Sequence, residues 1–270
     1  MLLLFAFLLG AIFGSFINAL VFRYGTGVGM NGRSRCMHCN HTLGALDLVP
    51  IFSFIALRAR CRYCGGRLSW QYPLVELIGG ILSVGVIAIY PSPLAFSIFF
   101  VMWMTLLFAV VYDIRHTILP YEALALTGAV GLVSTVLSCS DGSCTLITPS
   151  VLALGSGVLA ALPLFVLALV SRGRWMGWGD PLLELGLGWM LGLAGAFTAL
   201  CIAFWSGAIV GLLLLAYSSW RSKRTLVPAS ALEKDAASYT MKSEVPFAPF
   251  LVLGAAVVFF FHVDIFTPLL

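Results

Sequence analysis

Trp175-Met176-Gly177-Trp178-Gly179-Asp180-Pro181 is a glycine-punctuated turn that ends in an acid, and an apolar run continues from 181 to 217. A second acid, Asp113, closes another apolar run, from Phe99-Phe100-Val101-Met102-Trp103 to Val111-Tyr112. Carboxylates at the edge of a bilayer are costly unless used or paired, so each marks a candidate functional site. The composition says that a bilayer is the right solvent. Of 270 residues, 61% are hydrophobic and 10% charged, and the mean hydropathy is +1.04. No soluble globular domain has this composition. A spanning helix takes about 20 apolar residues, which leaves room for roughly eight.

Taken in order, the apolar runs cover 2–22, 73–90, 94–112, 121–138, 150–171, 181–195, 196–217 and 247–265. The run from 181 to 217 is too long for one helix and divides near Gly192-Leu193-Ala194-Gly195. Residues 2–22 have no basic start and no small-residue cleavage site, so the expectation is a membrane helix and not a cleaved signal. The pattern predicts an all-α polytopic membrane protein of about eight helices. It divides into a first helix (1–22), a polar insert (23–72) and a seven-helix membrane domain (73–270). No internal repeat stands out, and 218–246 reads as a polar loop.

The charges orient it. The insert carries Arg23, Arg33, Arg35, Arg58, Arg60, Arg62 and Arg67 against the single acid Asp47. Arg115, Arg172, Arg174, Arg221, Lys223, Arg224, Lys234 and Lys242 make up the rest. With eight spans every one of them falls on the same side, whereas the loops Tyr90-Pro91-Ser92-Pro93 and 139–149 carry none. The positive-inside rule makes the basic side cytoplasmic. The arginines sit between spans and not along one soluble face, so nucleic-acid binding is not expected. The bilayer itself is the partner this composition demands.

Cys36-x-x-Cys39 and Cys61-x-x-Cys64 have the spacing of a four-thiolate zinc site, one pair for each knuckle, with a shell that leaves no open position. Cys64-Gly65-Gly66 supplies a tight turn, and the reducing cytoplasmic side disfavours disulfides. The bland alternative is four reduced thiols without metal. His38 and His41 lie near the knuckles and read as surface residues. Cys139 and Cys144 fall on the oxidising side, where a disulfide and two separate thiols both remain open. Cys201, alone in an apolar run, reads as a buried thiol.

Asp113 and Asp180 sit at one membrane depth on different helices. Two carboxylates held close cannot both ionise easily. They share a proton, so that one activates water and the other protonates an amide oxygen. Each acid also has a plain alternative. Asp180 before Pro181 is a good helix N-cap, and Asp113 is a helix end within reach of Arg115. Gly177 and Gly179 suit a close backbone approach. Glu76 and Glu184 are further acids in or near apolar runs, as substrate contacts or as satisfied polar residues.

At these positions the chain resembles the type IV prepilin peptidases, bacterial membrane aspartyl proteases of the Gly-x-Gly-Asp type. The resemblance is carried by Gly14-Ser15-Phe16-Ile17-Asn18 with Arg23, by the two cysteine pairs, and by Tyr72-Pro73-Leu74-Val75-Glu76-Leu77. Asp113 with Leu119-Pro120, Gly177-Trp178-Gly179-Asp180 and Glu244-Val245-Pro246-Phe247-Ala248-Pro249-Phe250 complete it. It implies an inner-membrane endopeptidase with Asp113 and Asp180 as the catalytic pair, supported by Gly177, Gly179 and Glu76. Its substrates would be type IV prepilins or type II secretion pseudopilins, cut after a glycine at the end of a basic leader on the cytoplasmic face. It also implies, for many members, methylation of the new N-terminus from S-adenosylmethionine, an activity that travels with the cysteine-bearing insert. No residues are indicated for that cofactor. The chain departs from the family pattern in having Tyr121 then Glu122 where an acid directly follows Leu-Pro, Leu182 in place of a lysine, and Glu184 in place of a small apolar residue. The competing readings are a zinc-ribbon membrane scaffold, in which the acids are caps, and a proton-coupled transporter. A transporter needs acids along a path across the membrane, and these cluster at one edge.

Overall fold

The computed structural model describes residues 1–25, 32–140, 143–224 and 246–266. Helix α1 (Leu2–Arg23) leads into the insert, which holds a 3-10 turn (Ala45–Leu48) and the short α2 (Phe52–Ala56). The membrane helices follow as α3 (Gln71–Ile89), α4 (Pro93–His116), α5 (Tyr121–Ser134), α6 (Val151–Ser171), α7 (Gly179–Arg224) and α8 (Ala248–Phe261). Between α5 and α6 lies a hairpin of β1 (Leu137–Ser140) and β2 (Ser143–Leu146).

Five of these helices are long and apolar enough to cross a membrane, counting Gly179–Ser218 as one. Helix α7 is in fact two arms. Gly192 has φ 72 and ψ 172, outside helical space; a residue with a Cβ rarely holds that φ, whereas glycine does so freely. The chain reverses there. On the first arm Gly186 packs on Thr127 of α5 and Gly188 on Gly157 of α6. On the second, Phe204 meets Phe247 at the start of α8, and Thr198 accepts from the N–H of Ile265 beyond its end. The second arm therefore runs antiparallel to α8, and the expected division of 181–217 falls at Gly192. Among the described residues this makes eight apolar helical segments, counting the two arms of α7 separately.

Helix α4 is the centre of the bundle. Of its most apolar window 67% is buried, against 17–39% in the other four long spans, and Met102, Trp103 and Leu106 are wholly enclosed. Aromatic rings of α8 close on it: Trp103 lies 5.3 Å from Phe259 and 4.9 Å from Phe260. Helix α1 lies along α3 where Gly10 meets Gly79 so closely that a Cβ on either would overlap backbone.

Four boundaries differ from the sequence expectation, the first being that α4 runs on to His116 and not to 112. The fourth pass stops at Ser134 and not at 138, because the chain turns into the β1–β2 hairpin. The helix expected to end at 217 continues to Arg224; the rest of the polar loop expected at 218–246 lies outside the described residues up to Pro246. The last pass ends at Phe261, with His262 in the left-handed region. In the hairpin Cys139 and Cys144 are paired across the ladder, and Cys144 is disulfide-bonded.

Candidate active site and metal centre

The insert is built from two knuckles of the same design. In the first, Asn40 N–H donates to Cys36 O at 2.9 Å and Cys36 N–H to His41 O at 2.9 Å; in the second, Gly65 N–H donates to Cys61 O at 3.0 Å and Cys61 N–H to Gly66 O at 2.8 Å. Isolated bridges Arg35–Thr42 and Arg60–Arg67 close each loop. The turn needs a left-handed residue at its fourth step, and Gly65 (φ 70) and Asn40 (φ 56) fill it. Glycine and asparagine enter that region most readily. The expectation of no internal repeat is corrected here: residues 33–43 and 58–68 share the pattern Arg-x-Arg-Cys-x-x-Cys-x-x-x-Leu, and Leu43 N–H and Leu68 N–H close the two loops in the same register.

The design brings Cys36, Cys39, Cys61 and Cys64 together, with sulfurs within 4.8 Å of one another. All four are free thiols. Cys36 Sγ and Cys64 Sγ stand 3.9 Å apart; four bonds of about 2.3 Å in a tetrahedron give an edge of about 3.8 Å, so a metal ion fits. Burial works against ionising Cys36, yet the N–H groups of Cys39 and His38 and the adjacent thiols bring its pKa down to about 6. For Cys64 the Gly66 N–H favours the thiolate, but burial and the three thiols around it push it up to about 11. Neither histidine joins the group: His38 Nε2 lies 3.3 Å from Arg67 O, and His41 packs on the Tyr63 ring at 3.7 Å. Asp47 braces the insert, accepting from Arg62 Nε at 2.7 Å, from Gly44 N–H at 3.1 Å and from Tyr63 OH at 3.3 Å.

At the same end of the bundle α4 delivers Asp113 and α7 delivers Asp180. Each is 6% exposed, and Asp180 lies close enough to feel the Asp113 charge. Asp113 faces the backbone N–H of Ala248, the first residue of α8. Asp180 faces the N–H of Gly177, turning back to the loop before its own helix. Arg115 does not pair with Asp113; its guanidinium lies 3.8 Å over the ring of Phe22. A Cβ on Gly179 would come within 2.9 Å of the Leu119 side chain. Glycine there lets the start of α7 close on the Leu119-Pro120 turn, which brings the two acid-bearing segments together.

Glu76 lies apart from this pair. It is buried on α3, and Oε2 accepts the N–H of Ile51 at 2.7 Å; the hydroxyl of Ser15 on α1 also reaches it. Asn18 Nδ2 donates to Tyr72 O at 3.1 Å, tying α1 to the first turn of α3. Glu184 is wholly buried, and neither carboxyl oxygen has a hydrogen-bond partner among the described residues. Glu122 accepts from Tyr24 OH, a contact that no sequence signal suggested. Nor did sequence point to the backbone groups of Ala248 and Gly177 or to Ile51.

The description "Bacterial Peptidase A24 N-terminal domain" matches residues 8–90. Over 97% of its length the chain is 30% identical to a prepilin leader peptidase/N-methyltransferase of Burkholderia pseudomallei, covering 86% of that protein. A protein of the same name from Myxococcus xanthus is 30% identical over 89% of this chain and 71% of its own. One from Dichelobacter nodosus is 38% identical over 32% of this chain. No solved structure matches.

Proposed function

The chain belongs to the prepilin leader peptidase/N-methyltransferase family, and we propose from this that it is an aspartyl endopeptidase that removes the basic leader of type IV prepilins or pseudopilins. Cleavage follows a glycine at the cytoplasmic face of the bacterial inner membrane. In this reading 1–22 is the first membrane helix, 23–72 a zinc-bearing insert held by Cys36, Cys39, Cys61 and Cys64, and 73–270 the catalytic helices. The zinc is structural: a closed shell of four thiolates offers no position to a substrate.

The observation that carries the proposal is the approach of Asp113 and Asp180, two buried carboxylates from different helices whose charges interact. One carboxylate takes a proton from water as its oxygen attacks the scissile carbonyl carbon. The other carboxyl gives its proton to the carbonyl oxygen. Collapse of the resulting tetrahedral carbon expels the new amine, which leaves protonated. Gly179 sets the approach of the two segments, and Gly177 directs its N–H at Asp180. Helices α5 and α8 have 14 residues each, about 21 Å against a hydrocarbon core of about 30 Å. Short helices beside the pair draw the water-bearing interface toward it. The test is cleavage of a co-expressed prepilin, read by product mass, in wild type and in Asp113→Asn and Asp180→Asn. Loss in both with normal membrane insertion supports the pair; near wild-type processing by either refutes it.

The family name carries a second activity, and we extend the proposal to it: the freed N-terminus is methylated from S-adenosylmethionine. That donor supplies an electrophilic methyl group.

A further inference from the structure

Among the described residues at the end of the bundle that carries Asp113 and Asp180, one further carboxylate stands open to solvent. Asp47 is paired with Arg62, Glu76 is buried against Ile51 N–H, and Glu184 is wholly enclosed. Glu122, in the first turn of α5, is exposed. The hydroxyl that holds it belongs to Tyr24, one residue beyond α1. A phenol is a neutral donor, so it fixes the carboxylate and leaves the negative charge in place. Tyr24 in turn packs edge-on against Phe108 and Tyr112 of α4, with centroids 5.8 and 5.4 Å away, and Tyr112 directly precedes Asp113. Glu122 also lies three residues beyond Leu119, the side chain against which Gly179 packs. It therefore stands one aromatic ring from the segment bearing Asp113 and one turn from the contact that brings up Asp180.

We propose that Glu122, oriented by Tyr24, receives a cationic side chain of the substrate's leader and is a specificity-determining residue of the peptidase. The inference rests on the reading above that the leader is basic, and deepens it. The surrounding charge favours this role. Arg35, Arg58, Arg60, Arg115, Arg172 and Arg174 are exposed at the same end, and their field repels a basic segment. A single exposed carboxylate in such a field fixes where that segment comes to rest, because every other placement meets like charge. The Tyr24 ring beside it offers an aromatic face to the same cation. An acid in a first turn also steadies its helix through the macrodipole, but that role does not call for a tyrosine brought from α1 to orient it. Because Glu122 lies so near the acid pair, the cation it takes is among those closest to the scissile glycine.

The experiment is steady-state cleavage by the full-length, zinc-loaded chain in phosphatidylcholine nanodiscs. The substrates are a purified type IV prepilin and forms of it in which each leader lysine or arginine is changed in turn to glutamate. Glu122→Gln is expected to raise KM about fivefold with little change in kcat, and Tyr24→Phe to raise it less. Glu122→Lys should cleave the unaltered prepilin more weakly still, yet prefer one of the glutamate-bearing leaders, itself a poor substrate for wild type. A helix-end or packing role cannot produce that reversal. Should Glu122→Lys fail to insert or to hold zinc, Glu122→Gln carries the test: the leader change that lowers kcat/KM for wild type should leave it nearly unmoved. An unchanged KM in Glu122→Gln, a loss confined to kcat, equal sensitivity of Glu122→Gln and wild type to every leader change, or no leader preferred by an inserted Glu122→Lys would each overturn the assignment. Wild type that leaves the prepilin uncut would refute the peptidase itself, a result distinct from cleavage that is indifferent to Glu122.

Discussion

Glu76 Oε2 accepts the backbone N–H of Ile51 at 2.7 Å, and through that bond helix α3 holds the four-cysteine insert. Ile51 is an unusual residue to hold. Its φ of 62 and ψ of −49 place a β-branched side chain in the left-handed half of the map, with Phe52 N–H turned onto Pro50 O. Such γ-turns are rare and strained, and they persist where surrounding contacts over-determine them. Removing the carboxylate frees the turn and strands a buried donor, at a cost of about 1–3 kcal/mol. Glu76→Ala is therefore expected to speed proteolysis within residues 49–60, whereas Glu76→Gln, which keeps an acceptor, stays near wild type. Equal protease resistance of Glu76→Ala and wild type would show that the bond does not hold the insert.

The insert depends on its metal as well. Purified protein is expected to hold about one zinc per chain with sulfur distances of about 2.3 Å. Cys39→Ser, or a strong chelator, should release it and expose the insert to protease. A metal-free preparation whose proteolysis is indifferent to chelator would remove zinc from the account.

Asp47 gives the insert a pH dependence. Burial raises its pKa, but the Gly44 N–H and the Arg62 guanidinium outweigh burial and hold the carboxyl below the ordinary range. A depressed folded pKa means stability that is complete above the unfolded value, about 3.9, and lost as pH falls through the lower folded value. Asp47→Asn should therefore make the insert more protease-sensitive at neutral pH. The gap from wild type should hold down to about pH 4 and close below it. A gap that widened with acid would contradict this sign.

Sequence made the membrane class, the cysteine set and both acids legible, because each has a local signature: apolar runs, x-x spacing, glycine before an acid. The split at Gly192 was legible because the run is too long for one helix and glycines mark where it divides. The two knuckles were legible in their cysteine spacing, but their common left-handed step was not, since Asn40 and Gly65 answer the same backbone demand with different side chains. Nor were the partners of Glu76 and Asp113, because Ile51 and Ala248 act through their backbone N–H groups and carry no side-chain signal. The helix α5 was read, but its end was placed four residues too far, because Val136 and Leu137 carry the apolar run past Ser134, through the turn and into the hairpin.

The topology has a direct check. Leu146 on the hairpin is 80% exposed, and Arg174 lies in the loop before α7 at the opposite end of the bundle. In intact cells an impermeant maleimide is expected to label Leu146→Cys and to spare Arg174→Cys, as the positive-inside rule requires. The reverse pattern would invert the assigned faces.

The packing of Gly179 on Leu119 yields the sharpest test of the acid pair. Asn in place of either aspartate keeps volume and hydrogen bonding but cannot carry the charge or pass the proton, so both variants should lose cleavage. That result alone does not show that the approach of the two segments matters. Gly179→Ala changes neither acid, yet its methyl would lie 2.9 Å from the Leu119 side chain, and the segments must part. A displacement of about 1 Å at a reacting geometry costs on the order of 100-fold in rate. Cleavage by Gly179→Ala should fall by about that factor, and Leu119→Ala in the same chain should restore part of it by making room. Glu184→Gln, one turn along α7 from Asp180, should retain measurable cleavage, because Glu184 has no hydrogen-bond partner among the described residues through which to act on the pair. If Gly179→Ala cleaved at the wild-type rate, or Leu119→Ala gave no rescue, the Leu119–Gly179 contact would be packing only and the pair would be held by other means.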